Sequence, residues 1–309
     1  MADKIATRQS YGRALVELGA LRQDIVVLDA DLSGSTMTKE FAKVYPERFF
    51  NAGIAEANMY GMAAGLAVSG KTVFASTFAI FAAGRAFEII RNSIGYTGAN
   101  VKICATHAGL TVGEDGASHQ AIEDLALMRT IPGMTVLNPA DDVSARKLLQ
   151  AAAEWNGPVY VRLGRAAVPV IYAEETDIQI GKAVTLRDGK DCTIIATGLL
   201  VSRAMEAAEL LAEEGIDVRV LDMHTLKPMD EGAVIRAARE TGSIVTAEEH
   251  TVIGGLGAAV AQICCEKAPA KVSFVGIQDT FGESGKPDEL LEKYGLTAAA
   301  IAEAVRTVK

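Results

Sequence analysis

The chain has 309 residues, 50% of them hydrophobic, and a formal net charge of −9. At roughly 100–200 residues per domain this length points to two domains. The acidic balance, with no run of Lys and Arg and no basic stripe interleaved with aromatics, excludes the footprint of a nucleic-acid-binding protein, so no nucleic-acid partner is expected.

The N-terminal "MADKIATRQS" carries no apolar segment of the signal-peptide kind. A first helix is predicted over about 7–21. The apolar runs at 25–30, 72–77, 101–106, 134–139 and 158–163 read as strands, and helical patterns near 55–68, 81–96, 120–130 and 141–154 alternate with them. That alternation predicts an α/β fold with an open, mostly parallel sheet covered by helices on both faces. Residues 164–190 break the pattern with charge and glycine and read as a linker with short strands. A second alternation follows, with strands at 192–198, 217–223, 243–249 and 271–277 and helices up to 214, at 231–240, at 256–267 and at the end. The expected division is a first domain at 1–166, a linker at 167–190 and a smaller α/β domain at 191–309.

The stretch 49–70, "FFNAGIAEANMYGMAAGLAVSG", contains one charged side chain, Glu56. A membrane span needs about 20 predominantly apolar residues. Asn51, Glu56, Asn58 and the glycines argue instead for a buried helix of a soluble protein, with no membrane partner. Cys104, Cys192, Cys264 and Cys265 match neither a zinc site nor a C-x-x-C pair. Buried thiols and a reducing, cytoplasmic location are expected from them.

Ligands of open parallel sheets bind beyond the carboxyl ends of the strands, which turns attention to the loops there. Glu56, with Asn51 as its cap, is either a first-turn carboxylate favoured by the helix dipole or a proton donor to a ring nitrogen. Apolar surroundings favour the protonated form that the second role needs. Phe78 and Phe81, three apart in "STFAIFAAGR", are either core residues or an aromatic wall for a flat heterocycle. In "THAGLTVGEDGASHQ", His107 and His119 bracket three glycines and the pair Glu114–Asp115. So polar a segment after an apolar strand reads as a binding loop or as a glycine-rich turn. It lacks metal-ligand spacing and suits hydroxyl groups and proton transfer. Arg8 and Arg165 are either surface residues or bidentate phosphate forks, and Ser35 in "DLSGS" is otherwise a turn residue.

Taken together, "IATRQSYGRAL", "ADLSGS", "NAGIAEANMYGMAAGLA", "STFAIF", "THAGLTVGEDGASHQAIEDLALMRTIPGMTVLNPAD" and "VYVRLGR" resemble the C-terminal part of transketolase, in the family's order and spacing. The resemblance covers essentially the whole chain, more tightly over 1–165, and "EEHTVIGGLG" resembles the family's last domain. It implies thiamine diphosphate as cofactor and transfer of a two-carbon ketol unit from a ketose phosphate to an aldose phosphate. Glu56 falls on the catalytic glutamate that meets the pyrimidine N1′. Phe81 and Phe78 fall on the aromatics that pack the pyrimidine, and Asp31 on an acidic residue near the cofactor. His107, Arg8, Ser35 and Arg165 match contacts to the sugar's phosphate end. Asp115 and His119 match residues that read hydroxyls near the reacting carbons, so that Glu56, His119 and His107 form the expected catalytic set.

Two departures are visible. Gly84 stands where many members carry a tyrosine, and these 309 residues hold no "GDG…N" motif for the diphosphate and its metal. The expectation is therefore a split enzyme. In it, a separate N-terminal diphosphate-binding subunit holds Mg2+, and two copies of each chain assemble as α2β2. The beta subunit of a thiamine-dependent 2-oxo-acid dehydrogenase shares this domain order, and a non-catalytic regulatory subunit is a third reading. "GEDGASHQ" favours ketol transfer. His224, His250 and the "GGLG" at 254–257 are read as structural.

Overall fold

The structure, a computed structural model, describes residues 3–309. In chain order its strands are β1 (Lys4–Ala6), β2 (Ile25–Asp29), β3 (Phe49–Asn51), β4 (Thr72–Phe78), β5 (Val101–Thr106), β6 (Thr135–Leu137) and β7 (Val159–Arg162). They continue with β8 (Ala167–Pro169), β9 (Val184–Arg187), β10 (Cys192–Ala196), β11 (Val218–Asp222), β12 (Thr225–Lys227), β13 (Ser243–Thr251) and β14 (Lys271–Ile277).

The first sheet runs β12-β6-β7-β5-β4-β2-β3, parallel except for β12 at its edge. Strands β2, β4, β5 and β7 are buried along their whole length. Successive side chains therefore enter opposite cores: Val27 and Phe74 pack with Tyr11, Leu15 and Leu148, while Val26, Leu28, Val73 and Ala75 pack with Met59, Tyr60 and Ile90. The chain leaves β2 toward β3 on one side and β4 toward β5 on the other. The crevice at the carboxyl ends of β2 and β4 is thus the topological switch point, where such sheets bind ligands.

The second sheet runs β14-β13-β10-β11-β9, with only β9 antiparallel. The region read as a linker supplies β8, which pairs with β1 in a separate two-stranded sheet, and β9, which pairs with β11 at the edge of the second sheet. One strand crosses the expected boundary: β12, in "MHTLKP", pairs with β6 of the first sheet. Both apolar cores run on across this junction, for example from Val161 to Ile194 and from Val136 to Leu226.

The first helix, Thr7–Leu21, has the predicted limits. The predicted helix at 81–96 is instead two π-helical turns, Phe81–Arg85 and Ile90–Gly95, around a short α segment. Helix Glu56–Val68 is capped by Ala55, not Asn51, whose side chain binds Asp31 and the Gly53 N–H. This helix is buried on one face only; Ala57, Asn58, Gly61, Met62, Gly65 and Val68 form an exposed, uncharged second face. Cys104, Cys192 and Cys264 are buried and Cys265 is exposed. No helix among the described residues is long and apolar enough to cross a membrane.

Candidate active site

Glu56 opens its helix at the amino end, where the dipole favours a carboxylate, and is 3% exposed. The sequence offers it no partner within its own stretch, but the fold supplies one. Arg85 Nη1 donates to Glu56 Oε1 at 3.2 Å and Oε2 at 3.4 Å. The guanidinium also lies over the Phe81 ring, 4.8 Å from its centroid, and the Arg85 side chain is 57% exposed. Arg85 thus closes the open side of the Glu56 pocket. A Cβ on neighbouring Gly84 would meet nothing within 4 Å, so no side chain of this chain fills that space.

Phe78 ends β4 and Phe81 begins the π-helical turn after it; such turns recur at functional sites. Their rings stack at 5.9 Å with 11° between planes. His107 lies on Phe78 at 3.9 Å, and the His119 ring meets Phe81 edge-on at 5.6 Å. Four predicted residues, two from the end of β4 and its following turn and two from the loop after β5, therefore form one aromatic group.

His107 follows β5 with φ +57°, a left-handed conformation uncommon for a side chain of this size. Its Nδ1 shares a 2.9 Å hydrogen bond with Thr106 Oγ1. Burial, with Arg8, Arg165 and His119 around it, pushes the imidazole down to about 3. His107 is therefore neutral at physiological pH.

Arg8 Nη1 donates to the Ser35 carbonyl at 2.8 Å, while its Nε is buried without a partner. Burial and the nearby Arg165 both lower the Arg8 pKa. Arg165 donates to the Val112 carbonyl and lies 3.6 Å from Glu114 and 3.7 Å from Asp115. Two like charges and an unused buried donor suit an anion such as a phosphate. Asp31, exposed at φ +64°, pairs with Asn51 at the end of β2, and no contact joins it to the aromatic group. Ser35 meets Arg8 through its backbone carbonyl.

Sequence reasoning missed Arg85, hidden at the end of an apolar run, and a buried frame beneath the loop. In that frame Asp124 accepts from Arg162 Nε at 2.9 Å and from Tyr160 Oη at 2.7 Å. Burial alone would raise the Asp124 carboxyl, but the Arg162 guanidinium holds it below the usual carboxylate range. Glu249, from β13, accepts from the Thr111 N–H at 2.7 Å. Burial pushes its carboxyl up to about 7 against the pull of Arg162. The "EEH" of 248–250 was the available signal. Among the described residues no group of three or more His, Cys, Asp or Glu is placed to hold a metal ion.

Comparison with known proteins matches both halves of the chain. The transketolase pyrimidine-binding domain matches residues 3–170 and the transketolase C-terminal domain residues 181–301. A protein of Methanocaldococcus jannaschii named as a transketolase C-terminal section is 53% identical over 301 residues, covering 96% of this chain and 94% of that one. Human transketolase is 41% identical over 310 residues, covering 99% of this chain and 49% of its own length. A solved split-gene transketolase, an inactive beta4 tetramer, is 57% identical with a TM-score of 0.93 and 98% of each chain covered. The chain belongs to the transketolase family, a family of transferases, and comprises its pyrimidine-binding and C-terminal domains. These matches do not favour the 2-oxo-acid dehydrogenase reading.

Proposed function

We propose that this chain is the catalytic C-terminal subunit of a two-part transketolase, active when a separate diphosphate-binding subunit completes the site. The family depends on thiamine diphosphate. The residues present fit the pyrimidine end of that cofactor. A buried carboxylate stands beside a stacked aromatic pair, with open space over Gly84. The reading gives the diphosphate and Mg2+ to the partner; among the described residues no group of three or more His, Cys, Asp or Glu is placed to hold a metal ion. When bound, the cofactor supplies the electron sink for breaking a carbon–carbon bond.

The chain's own residues then have these roles. Glu56 holds the proton at the pyrimidine N1′, and Phe81 with Phe78 fixes the ring plane. His107, neutral and clamped by Thr106 and Phe78, offers its free ring nitrogen to the substrate. Arg8 and Arg165, with the Ser35 segment, draw in the phosphate end of a sugar phosphate, and Asp115 and His119 read its hydroxyls. Asp31 stands at the cofactor's edge.

The observation that carries the reading is Glu56, buried at the foot of a helix whose other face is exposed and uncharged. That face, flanked by Ile54 at 80% exposure, is the kind of apolar surface that marks a protein contact. A partner seated there would form the missing wall, and an α2β2 assembly provides it. The similarity to a C-terminal section and to a split-gene transketolase supports the same arrangement.

The test is reconstitution. Purified chain with thiamine diphosphate, Mg2+, a ketose phosphate and an aldose phosphate is expected to be inactive. Addition of a diphosphate-binding transketolase subunit is expected to start ketol transfer. Transfer by this chain alone would contradict the split reading.

A further inference from the structure

We propose that Glu249 is a positioning residue through which the C-terminal domain holds the loop His107–Gln120 in the shape that presents Asp115 and His119. The proposal rests on the sugar-reading role given to that loop above, and it assigns the second domain a task.

Glu249 lies on β13, in the second sheet, yet its Oε1 takes the Thr111 N–H at 2.7 Å across a sequence gap of 138 residues. The fit is close. Gly109 sits at φ +80°, and a Cβ there would lie 2.2 Å from the Glu249 carboxyl carbon. Any other residue at 109 would push the carboxylate off the loop.

The Glu249 backbone is fixed as well, since its carbonyl accepts from Arg162 Nη2 at 3.0 Å and Arg162 is locked to Asp124. Burying so constrained a carboxylate costs free energy, offset here by the Thr111 N–H and the nearby guanidinium. The carboxylate's hydrogen bond goes to the loop and its ion pair, at 3.9 Å, to Arg162, so both of these contacts reach into the first domain.

A second strap from the same domain holds the far end of the loop. Gln120 Nε2 donates to the Glu283 carbonyl at 2.8 Å, and Ser284 Oγ donates to the Glu114 carbonyl, next to Asp115. A Cβ on Gly282 would stand 2.0 Å from Gln120 Oε1, so this strap is also in close contact. Between the two anchors the backbone turns through Gly113 at φ +85° and Gly116 at φ +76°, conformations with little stiffness of their own. Arg165 of the first domain also holds the Val112 carbonyl and faces Asp115, so Asp115 and His119 are positioned by that contact together with the anchors in the second domain.

Hydrogen exchange on the chain alone gives a readout independent of activity. Glu249→Ala is expected to speed exchange at the amides of 109–120 by about tenfold or more, the effect of orphaning one buried N–H. Glu249→Gln keeps an acceptor for Thr111 and is expected to preserve slow exchange. In the reconstituted enzyme, Glu249→Ala is expected to raise the KM for sugar phosphate roughly five- to tenfold with thiamine diphosphate affinity unchanged, and Glu249→Gln to restore KM. Ser284→Ala, at an exposed position, is expected to act in the same direction by about twofold, which keeps the test open if Glu249→Ala does not fold. Unchanged loop exchange in both alanine variants overturns the proposal. So does a loosened loop with unchanged KM, or a joint loss of kcat and cofactor affinity that Glu249→Gln fails to rescue. Absence of ketol transfer in the wild-type pair would count against the transketolase reading instead, and the exchange experiment would still judge the anchor.

Discussion

Arg85 reaches Glu56 from the open side of its pocket, with 3.2 Å between Nη1 and Oε1, while its guanidinium rests on the Phe81 ring. A pyrimidine stacked on Phe81 with N1′ at Glu56 would use the same two contacts. On the proposed reading Arg85 would swing away when the cofactor binds. A half-exposed ion pair is worth about 0.2–1 kcal/mol, so Arg85→Ala is expected to tighten thiamine diphosphate binding by the reconstituted enzyme by up to about fivefold. Titration calorimetry checks this; weaker binding in the variant would mean that Arg85 supports the cofactor.

Phe81 adds stacking to the pocket. Aromatic pairs contribute roughly 0.5–1.5 kcal/mol beyond area burial, so Phe81→Ala is expected to weaken cofactor binding by about tenfold once lost area is included. The ring is partly exposed, so the melting temperature of the chain should change little. A large fall in melting temperature with unchanged cofactor affinity would make Phe81 a core residue only.

His107 is held neutral, pushed down to about 3 chiefly by burial. Its folded pKa is below the unfolded value of 6.5, so the unfolded chain takes up the proton first. The stability His107 contributes is accordingly full above pH 6.5 and is lost as pH falls toward 3. In an NMR titration, the His107 ring resonances are expected to stay flat from pH 8 to about 5. An inflection near 6.5 would show an imidazole less buried than the structure has it.

Asp124 and Arg162 form a fully buried pair at the base of the loop. Removing one partner of such a pair leaves an uncompensated charge and costs about 3–5 kcal/mol. Asp124→Ala is therefore expected to destabilise the chain by that amount in denaturant unfolding. A change below about 1 kcal/mol would place the pair in water.

Much of this was legible in the sequence. Apolar runs located β2, β4, β5, β6 and β7 of the first sheet and β10, β11, β13 and β14 of the second, because buried parallel strands have no polar face to hide them, but not the edge strand β3. The ends of those strands then located Phe78, Phe81 and His107. Strand β12 was not legible: three residues of "HTLKP" carry no pattern, and their pairing with β6 depends on how the two halves dock. Arg85 was overlooked because its reach to Glu56 depends on the π-helical turn at 81–85, whose spacing the 3.6-residue period does not reveal. Glu249 stood in a motif already noted, but only the docked domains reveal that it faces Thr111.

The most direct test of the whole account is the rate of ketol transfer by the reconstituted two-subunit enzyme carrying Glu56→Gln. An amide at this position cannot hold the proton at the pyrimidine N1′, so the rate is expected to fall by about 10²–10⁴-fold with subunit association unchanged. A variant complex that turns over at the wild-type rate would contradict the assignment of Glu56 and the site built around it.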